Sequence, residues 1–350
     1  MTVTKTELTD RLAEIEDPMN DDDIVSLGLV NDVTIHDETT ALISLAFNAP
    51  HAPTERAIGE NIRDTVEELG LDVDLTAAVD EEHGFVTDVL PGVRNVIAVA
   101  SGKGGVGKTT VAANLAAGLA EKGARVGLLD ADVHGPNAPT LLPTGDEPGV
   151  APNGDILPPE SDDVMVMSTE YLMPETGDEP AALRGPMVNN VMMKFINEVQ
   201  WGYRDYLIVD LPPGTGDASL NLVQTLPVAG VVIITTPQEM AVDDARKGLR
   251  LFEQHDVPVL GVVENMSGFR CPECDEEHPV FGRSEPDDSF DAPILARLPA
   301  HPDFTSEESE GPVVRDEESP LWPELMQLAE TVADNVGQAN RRRVAEHVKE

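Results

Sequence analysis

The sequence predicts an α/β protein in which a mostly parallel sheet is flanked by helices and preceded by a small α+β domain. From residue 93 onward, continuous apolar runs alternate with helical patterns. Such runs are typical of parallel strands that helices cover on both faces. A glycine-rich loop and aspartates at two strand ends are the other two indications. We expect strands at Val93–Ala100, Val126–Leu129, Val164–Met167, Tyr206–Val209, Gly230–Thr235, Val259–Val263 and Ile294–Leu298, and helices over 108–122, 184–200, 217–226, 241–254 and 321–338.

The first 88 residues predict the small α+β domain. Leu90-Pro91-Gly92 marks its boundary with the following segment. We therefore divide the chain into a small domain at 1–88, an α/β domain at 93–338 and a charged C-terminal tail at 339–350. The elements expected in the small domain are a helix ending at Asp17-Pro18, strands at Val30–Ile35, Ala41–Phe47 and Val73–Ala77, and a helix over Glu55–Leu69.

The composition is extremely acidic, with 65 Asp and Glu against 23 Lys and Arg and a net charge of −42. The acids are spread over every segment, which favours a halophilic source over an acidic partner-binding surface, because molar salt reduces the Debye length to about 3 Å. No apolar run approaches about 18 residues, so we expect a cytoplasmic protein without a membrane contact. The only basic cluster, 341–343, is followed by acids, which argues against nucleic acid.

One loop matches the pattern G-x-x-x-x-G-K-[ST], whose backbone N–H groups cradle nucleotide phosphates. It follows an apolar run and leads into an Ala/Leu-rich helical pattern, as a P-loop NTPase requires. Lys108 is expected at the β and γ phosphates, and the Thr109 hydroxyl at Mg²⁺. The nucleotide-binding residues predicted here are Gly102, Lys103, Gly104, Gly105, Val106, Gly107, Lys108, Thr109 and Thr110.

Aspartates follow two of the predicted strands. Asp130 and Asp132 come after Val126–Leu129, and Asp210 comes after Tyr206–Val209. Such residues can hold a Mg²⁺-bound water or orient the attacking one, although a single aspartate is also a common turn former. We therefore predict a catalytic group of these three aspartates with Lys108.

The identity of the nucleotide base is less strongly indicated. Asn265 follows a predicted strand and is placed for an adenine contact, but it could equally be a turn residue. No Asn-Lys-x-Asp guanine motif follows it. The sequence thus favours ATP over GTP.

Cys271 and Cys274 are the only cysteines and form a C-x-x-C pair. The polar, charged loop argues against a buried structural pair. A redox dithiol usually opens a helix, and the sequence shows no helix here. Zinc could use both thiolates with His278, although a closed structural site needs four ligands. A [4Fe–4S] cluster also needs four thiolates, which two chains of a symmetric dimer would supply. Cluster and zinc both remain open at this point.

Several segments together resemble the Mrp/ApbC family of iron–sulfur cluster carrier P-loop ATPases. The resemblance spans residues of about 90 to 335 and keeps the family's motif order, while residues 1–88 resemble an iron–sulfur-assembly-associated domain. The matching segments are Gly102 to Thr110, Asp130-Ala131-Asp132 with Gly135-Pro136-Asn137, Asp210 to Asp217, and Glu264-Asn265-Met266-Ser267 with Cys271-Pro272-Glu273-Cys274.

The resemblance implies a homodimer that hydrolyses ATP and transfers a cluster to apo iron–sulfur proteins, with an upstream cluster-assembly scaffold as a possible further partner. Lys103 would be the signature lysine that reaches the partner chain's phosphates, and Thr109 would bind Mg²⁺. Cys271 and Cys274 would bridge a [4Fe–4S] cluster with their counterparts. One departure is Pro50-His51-Ala52-Pro53, where the family usually has a cysteine, so a cluster-binding role for the small domain is doubtful.

Two other classes of P-loop protein are weaker interpretations. A positioning or partition ATPase needs a basic or amphipathic contact surface, and it gives the C-x-x-C pair no purpose. A GTPase with a Gly-Pro-Asn loop is suggested only by residues 135–137, which a turn explains equally well.

Overall fold

The chain forms two compact units, which are described separately. One comprises Met1–Asp88 with Ala333–Glu350, and the other comprises Val89–Val332. Residue 184, where a predicted helix begins, and Thr215 lie outside the described residues. This computed structural model describes residues 3–37, 39–79, 83, 85, 88–133, 135–172, 185–214, 216–280, 289–305 and 311–348.

Among its described residues, the first unit packs two whole helices and the end of a third with a three-stranded sheet. Strand β4 pairs with β3 in antiparallel and with β5 in parallel orientation. Leu8, Ile43 and Ile62 are completely or almost completely buried in its core. Its elements before residue 88 are α1 (Lys5–Leu12), β1 (Glu16–Asp17), β2 (Asp22–Asp23), β3 (Val30–His36), β4 (Thr40–Leu45), α2 (Pro53–Glu68) and β5 (Asp72–Ala77).

The second unit contains the strands and helices that alternate along the sequence. Apart from α8, which extends into the first unit, all its elements lie within Val89–Val332. They are β6 (Val93–Ser101), α3 (Lys108–Glu121), β7 (Val126–Asp130), α4 (Ala138–Leu141), β8 (Gly149–Val150), β9 (Ile156–Leu157), β10 (Glu160–Ser161), β11 (Val164–Ser168), α5 (Gly185–Glu198), β12 (Arg204–Asp210), α6 (Asp217–Thr225), β13 (Val228–Thr235), α7 (Glu239–Gln254), β14 (Val259–Arg270), β15 (Glu277–His278), β16 (Ile294–Ala300) and α8 (Trp322–His347).

A nine-stranded sheet forms the centre of this unit among the residues that the structure describes. Its order is β10-β11-β7-β12-β6-β13-β14-β15, with β16 also paired to β14. Only β10 and β15 at its two ends pair antiparallel with their neighbours. Strand β12 lies between β7 and β6, and Asp210 is opposite both Asp130 and Val99. The predicted α/β fold with a mostly parallel sheet is therefore confirmed.

Strand β14 is much longer than the sequence predicts. The expected strand ends at Val263, whereas β14 continues through Asn265 to Arg270. Its far end pairs with β15, and Phe269 lies opposite both His278 and Ala300. Pairing with two other strands thus holds this polar segment in the sheet, although Met266 has a φ of 56° and the register with β16 shifts between Asn265 and Phe269.

The C-terminal segment also differs from the expected charged tail at 339–350. Helix α8 continues to His347, and its residues from Ala333 onward belong to the first unit. Arg341 and Val344 are completely buried there, which explains why the helix does not end near residue 338. Within the described residues, no helix is long and apolar enough to cross a membrane.

Arg341 is held by two buried carboxylates of the first unit. Its Nε donates to Asp17 Oδ2 at 2.6 Å, and its Nη1 donates to Glu55 Oε1 at 3.3 Å. Burial opposes ionisation of Asp17, but Arg341 and Asn20 hold the pKa of Asp17 below its ordinary value. Burial raises the pKa of Glu55 to about 7, against the opposing effects of Arg341 and of the Ala49 N–H. This ion group joins the end of α8 to the first unit.

Replacing Arg341 with methionine should strongly destabilise the first unit. The Arg341→Met variant would leave two buried carboxylates without a cation, which typically costs about 3–5 kcal/mol. Arg342→Met is the matched control, since Arg342 is exposed and only donates to Asn20 Oδ1. Denaturant unfolding, with hydrogen exchange of the α2 amides, measures the difference. Equal free energies of unfolding for the two variants would contradict this role of Arg341.

Candidate functional site

The glycine-rich loop connects the end of β6 to the start of α3. Gly107 precedes α3 with a φ of 81°, in the left-handed region. A Cβ on Gly107 would lie 2.2 Å from Asn265 Nδ2, and one on Gly102 would lie 2.5 Å from the carbonyl carbon of Asp244. Both positions therefore require glycine. The loop thus places the amides at the start of α3 where they can bind an anion.

Lys108, Thr109 and Asp210 converge beside this loop. Lys108 Nζ donates to Asp210 Oδ1 at 2.5 Å, and Thr109 Oγ1 donates to Asp210 Oδ2 at 2.6 Å. Asp210 is completely buried. Burial raises the pKa of Asp210 above its ordinary value, against the opposing effects of Lys108 and Thr109. The structure thus brings together the predicted phosphate-binding lysine, the predicted Mg²⁺-binding hydroxyl and the strand-end aspartate.

Asp130 lies on the strand next to Asp210 and organises the loop that follows β7. Its carboxylate accepts hydrogen bonds from the backbone N–H groups of Asp132, Asn137 and Ala138 at 3.0–3.1 Å. Burial, followed by the charge of Asp210, raises the pKa of Asp130 to about 6. Because these donors occupy the Asp130 carboxylate, it is arranged as a loop anchor. Water orientation by Asp130 or Asp132 stays a prediction.

Ser168 is a member of this group that the sequence analysis missed. Its hydroxyl donates to Asp130 Oδ2 at 3.1 Å. Ser168 ends β11, directly opposite Asp130 in the parallel pairing of β11 with β7. A polar residue at the end of a third apolar run was the available signal, but the strand order was needed to interpret it.

Lys103 lies apart from the Lys108 group. Its Nζ donates to Gln238 Oε1 at 3.0 Å, and Gln238 precedes helix α7 of the same chain. Neither Lys103 nor Gln238 is buried. The predicted contact of Lys103 with a second chain stays a prediction.

Asn265 supports the glycine-rich loop from behind. Its Nδ2 donates to the carbonyl oxygen of Val106 at 2.9 Å, and its side chain is buried. The long strand β14 positions this amide. The structure therefore gives Asn265 a loop-supporting contact that the sequence did not indicate, whereas its contact with adenine stays a prediction.

Cys271 and Cys274 lie in the turn between β14 and β15, separate from the phosphate loop. Cys274 is exposed and Cys271 partly so, and neither forms a disulfide. Hydrogen bonds from the backbone of Glu273 and Cys274 and from the Cys274 thiol lower the pKa of Cys271. A lowered pKa increases the thiolate fraction, which is the form that binds metals. The turn is thus chemically suited to a soft metal centre.

Comparison with known proteins identifies the family of this chain. The family model described as NUBPL iron-transfer P-loop NTPase matches residues 92–333. The chain belongs to this family. A second model, described as iron–sulfur cluster assembly protein, matches residues 5–79. These matches confirm the resemblance to iron–sulfur carrier P-loop NTPases, and nucleotide hydrolysis is the general activity of P-loop NTPases.

Several relatives of this chain are named iron–sulfur cluster carrier proteins. An iron–sulfur cluster carrier protein of Synechocystis is 39% identical over 346 residues, covering 94% of this chain and 96% of the relative. One of Escherichia coli is 42% identical over 248 residues, covering 69% and 67%. A solved nucleotide-binding protein from Archaeoglobus fulgidus, in complex with ADP and with cobalt found in it, is 32% identical with a TM-score of 0.53, covering 73% of this chain and 93% of that one.

Truncating Asn265 tests whether it supports the loop or selects the base. Asn265→Ala should lower the affinities for ATP and GTP by the same factor, roughly tenfold, because a buried hydrogen bond contributes about 1 kcal/mol or somewhat more. Calorimetric titration of both nucleotides measures this. Asn197→Ala is the control, since the exposed Asn197 amide donates only to the Met193 carbonyl within α5. A loss confined to ATP would instead establish base recognition by Asn265.

Proposed function

We propose that this chain is an ATP-hydrolysing carrier that assembles a [4Fe–4S] cluster between two copies of itself and transfers the cluster to apoproteins. The observation that most supports this proposal is the presence, in one unit, of a formed phosphate site and an accessible cysteine pair. Lys108 and Thr109 define the first, and Cys271 and Cys274 the second. The names of the relatives agree with this combination.

The phosphate site is suited to a magnesium nucleotide. The Thr109 hydroxyl and the Asp210 carboxylate are hard oxygen donors 2.6 Å apart, which is the donor chemistry that Mg²⁺ prefers. Magnesium would neutralise charge on the phosphates there. Lys108 would exchange its contact with Asp210 for the β and γ phosphates. The ADP complex of the archaeal relative supports an adenine nucleotide.

The cargo would bind at the hairpin turn. A [4Fe–4S] cluster needs four thiolates, and this chain has two cysteines in total. A two-fold axis passing between two such turns would bring four together. The exposure of Cys274 suits both assembly and release. Apo iron–sulfur proteins would then receive the cluster.

The same symmetry would give Lys103 its role. Lys103 is held in its own chain by one uncharged, solvent-accessible partner, Gln238, so moving it away would break only that hydrogen bond. In the dimer, Lys103 would contact the phosphates bound by the partner chain. Hydrolysis would therefore depend on dimer formation.

The first unit is proposed to bind partners of the cluster pathway rather than the cluster itself. Residues 5–79 match the assembly-protein model, but Ala52, in the Pro50–Pro53 turn, has no ligand atom in its side chain and is buried.

The acidic composition of the whole chain suits a working medium of high salt, in agreement with the proposed halophilic source.

Removing both cysteines tests the cargo. Anaerobic incubation of the wild type with iron and sulfide should yield broad visible absorbance and about two iron atoms per chain, as expected for one cluster shared by two chains. The Cys271→Ala/Cys274→Ala double variant should give neither while still binding nucleotide. Iron content and absorbance of the double variant equal to those of the wild type would refute the cluster site, and uptake of zinc alone by the wild type would favour the zinc alternative.

Mixing two inactive variants tests the action of Lys103 across the interface. Lys103→Ala and Lys108→Ala should each hydrolyse ATP poorly, whereas an equal mixture should recover up to about a quarter of wild-type activity, because half of the dimers would contain one complete site. Phosphate release, at dimer contents matched by light scattering, is the measurement. A mixture of Lys103→Ala with the Lys103→Ala/Lys108→Ala double variant should stay inactive, because no chain in it supplies Lys103. Absence of recovery would show that Lys103 acts within its own chain.

A further inference from the structure

The turn that contains the cysteines is a tight, well-formed hairpin. The Cys271 N–H donates to the Glu276 carbonyl at 3.0 Å, and the Asp275 N–H donates to the Cys271 carbonyl at 2.8 Å. Asp275 has a φ of 57°, in the left-handed region, which closes the turn. Beyond it, His278 pairs with Phe269 in antiparallel orientation. The positions of the side chains on this hairpin are therefore set by backbone hydrogen bonds.

Three ligand-type side chains lie together on the returning side of this hairpin. One ligand atom from each of Cys274, Glu276 and His278 lies within 4.8 Å of the other two. Glu277, between two of them, is instead bonded to Ser267, which donates to Glu277 Oε1 at 3.2 Å. Glu277 is therefore not a member of this group.

We propose that Cys274, Glu276 and His278 of a single chain form a site for one divalent metal ion of the Zn²⁺ and Fe²⁺ class. A thiolate, an imidazole and a carboxylate are the ligands typical of this class, whereas Mg²⁺ and Ca²⁺ prefer oxygen alone. Metal–ligand distances of about 2.0–2.3 Å require ligand atoms about 3.5 Å apart, which small side-chain rotations would achieve. Three protein ligands leave a fourth position open.

This site differs from the proposed cluster site in composition and stoichiometry. The single-ion site needs one chain rather than two, and it uses Glu276 and His278, which are not ligands of the proposed cluster. Cys274 is common to both sites, so a chain that holds the single ion there cannot use Cys274 for the cluster at the same time. The single ion and the shared cluster would therefore exclude each other at the turn of a given chain.

Cobalt(II) is a suitable probe, because its visible spectrum reports coordination and its near-ultraviolet band reports a thiolate ligand. Titration of the reduced, anaerobic protein should show both features at one ion per chain. His278→Ala and Glu276→Gln should each weaken the apparent affinity by about tenfold or more, and Cys274→Ala should remove the thiolate band. His255→Ala and Glu273→Gln, an exposed histidine elsewhere and a carboxylate of the same turn, should bind as the wild type does.

Cys271→Ala separates the two sites. The Cys271→Ala variant should keep the single-ion site and lose the cluster. The His278→Ala variant should lose the single-ion site and keep the cluster. Normal cobalt binding by both His278→Ala and Glu276→Gln would overturn the single-ion site, as would a cobalt spectrum that requires Cys271 as strongly as Cys274. Failure of every variant and of the wild type to form a cluster would refute the proposed cargo but leave the cobalt result intact.

Discussion

The buried ion pair between Lys108 and Asp210 is the interaction on which the nucleotide site depends. Asp210 is completely buried, so its charge needs both the ammonium of Lys108 and the hydroxyl of Thr109. Removing one partner of such a pair leaves an uncompensated charge in a poorly solvated site. The sheet order meets this requirement, because β12 lies directly beside β6, from which the phosphate loop extends, and beside β7, which ends at Asp130. Ligand sites at the carboxyl ends of parallel strands follow the same rule.

Strand β14 contributes to both the phosphate loop and the cysteine turn of the second unit. Near its middle, Asn265 donates to the Val106 carbonyl of the phosphate loop. At its end, Arg270 leads into the turn that contains both cysteines, and the Arg270 guanidinium donates to Glu324. One strand, Val259–Arg270, therefore includes both a support of the nucleotide loop and the base of the cysteine-containing hairpin.

The first unit matches the assembly-protein model but has Ala52 at the position where the resemblance leads one to expect a cysteine. Ala52 is buried directly before α2. The same unit uses Asp17 and Glu55 to bind Arg341, from the final turns of α8. The match to the P-loop family ends at residue 333, and the residues of α8 from Ala333 onward belong to the first unit. These carboxylates have a structural use that the family resemblance alone did not imply.

The sequence by itself determined the phosphate loop, most strand positions and the cysteine pair, because each is specified by a contiguous pattern or by hydrophobic periodicity. Tertiary structure decided which distant residues meet. Ser168 reaches Asp130 through the pairing of β11 with β7, which no local pattern reveals. Arg341 is likewise buried although the end of the chain is highly charged, because two carboxylates that are distant in sequence neutralise its guanidinium. Local preference sets the elements, and long-range pairing sets the environment of each charge.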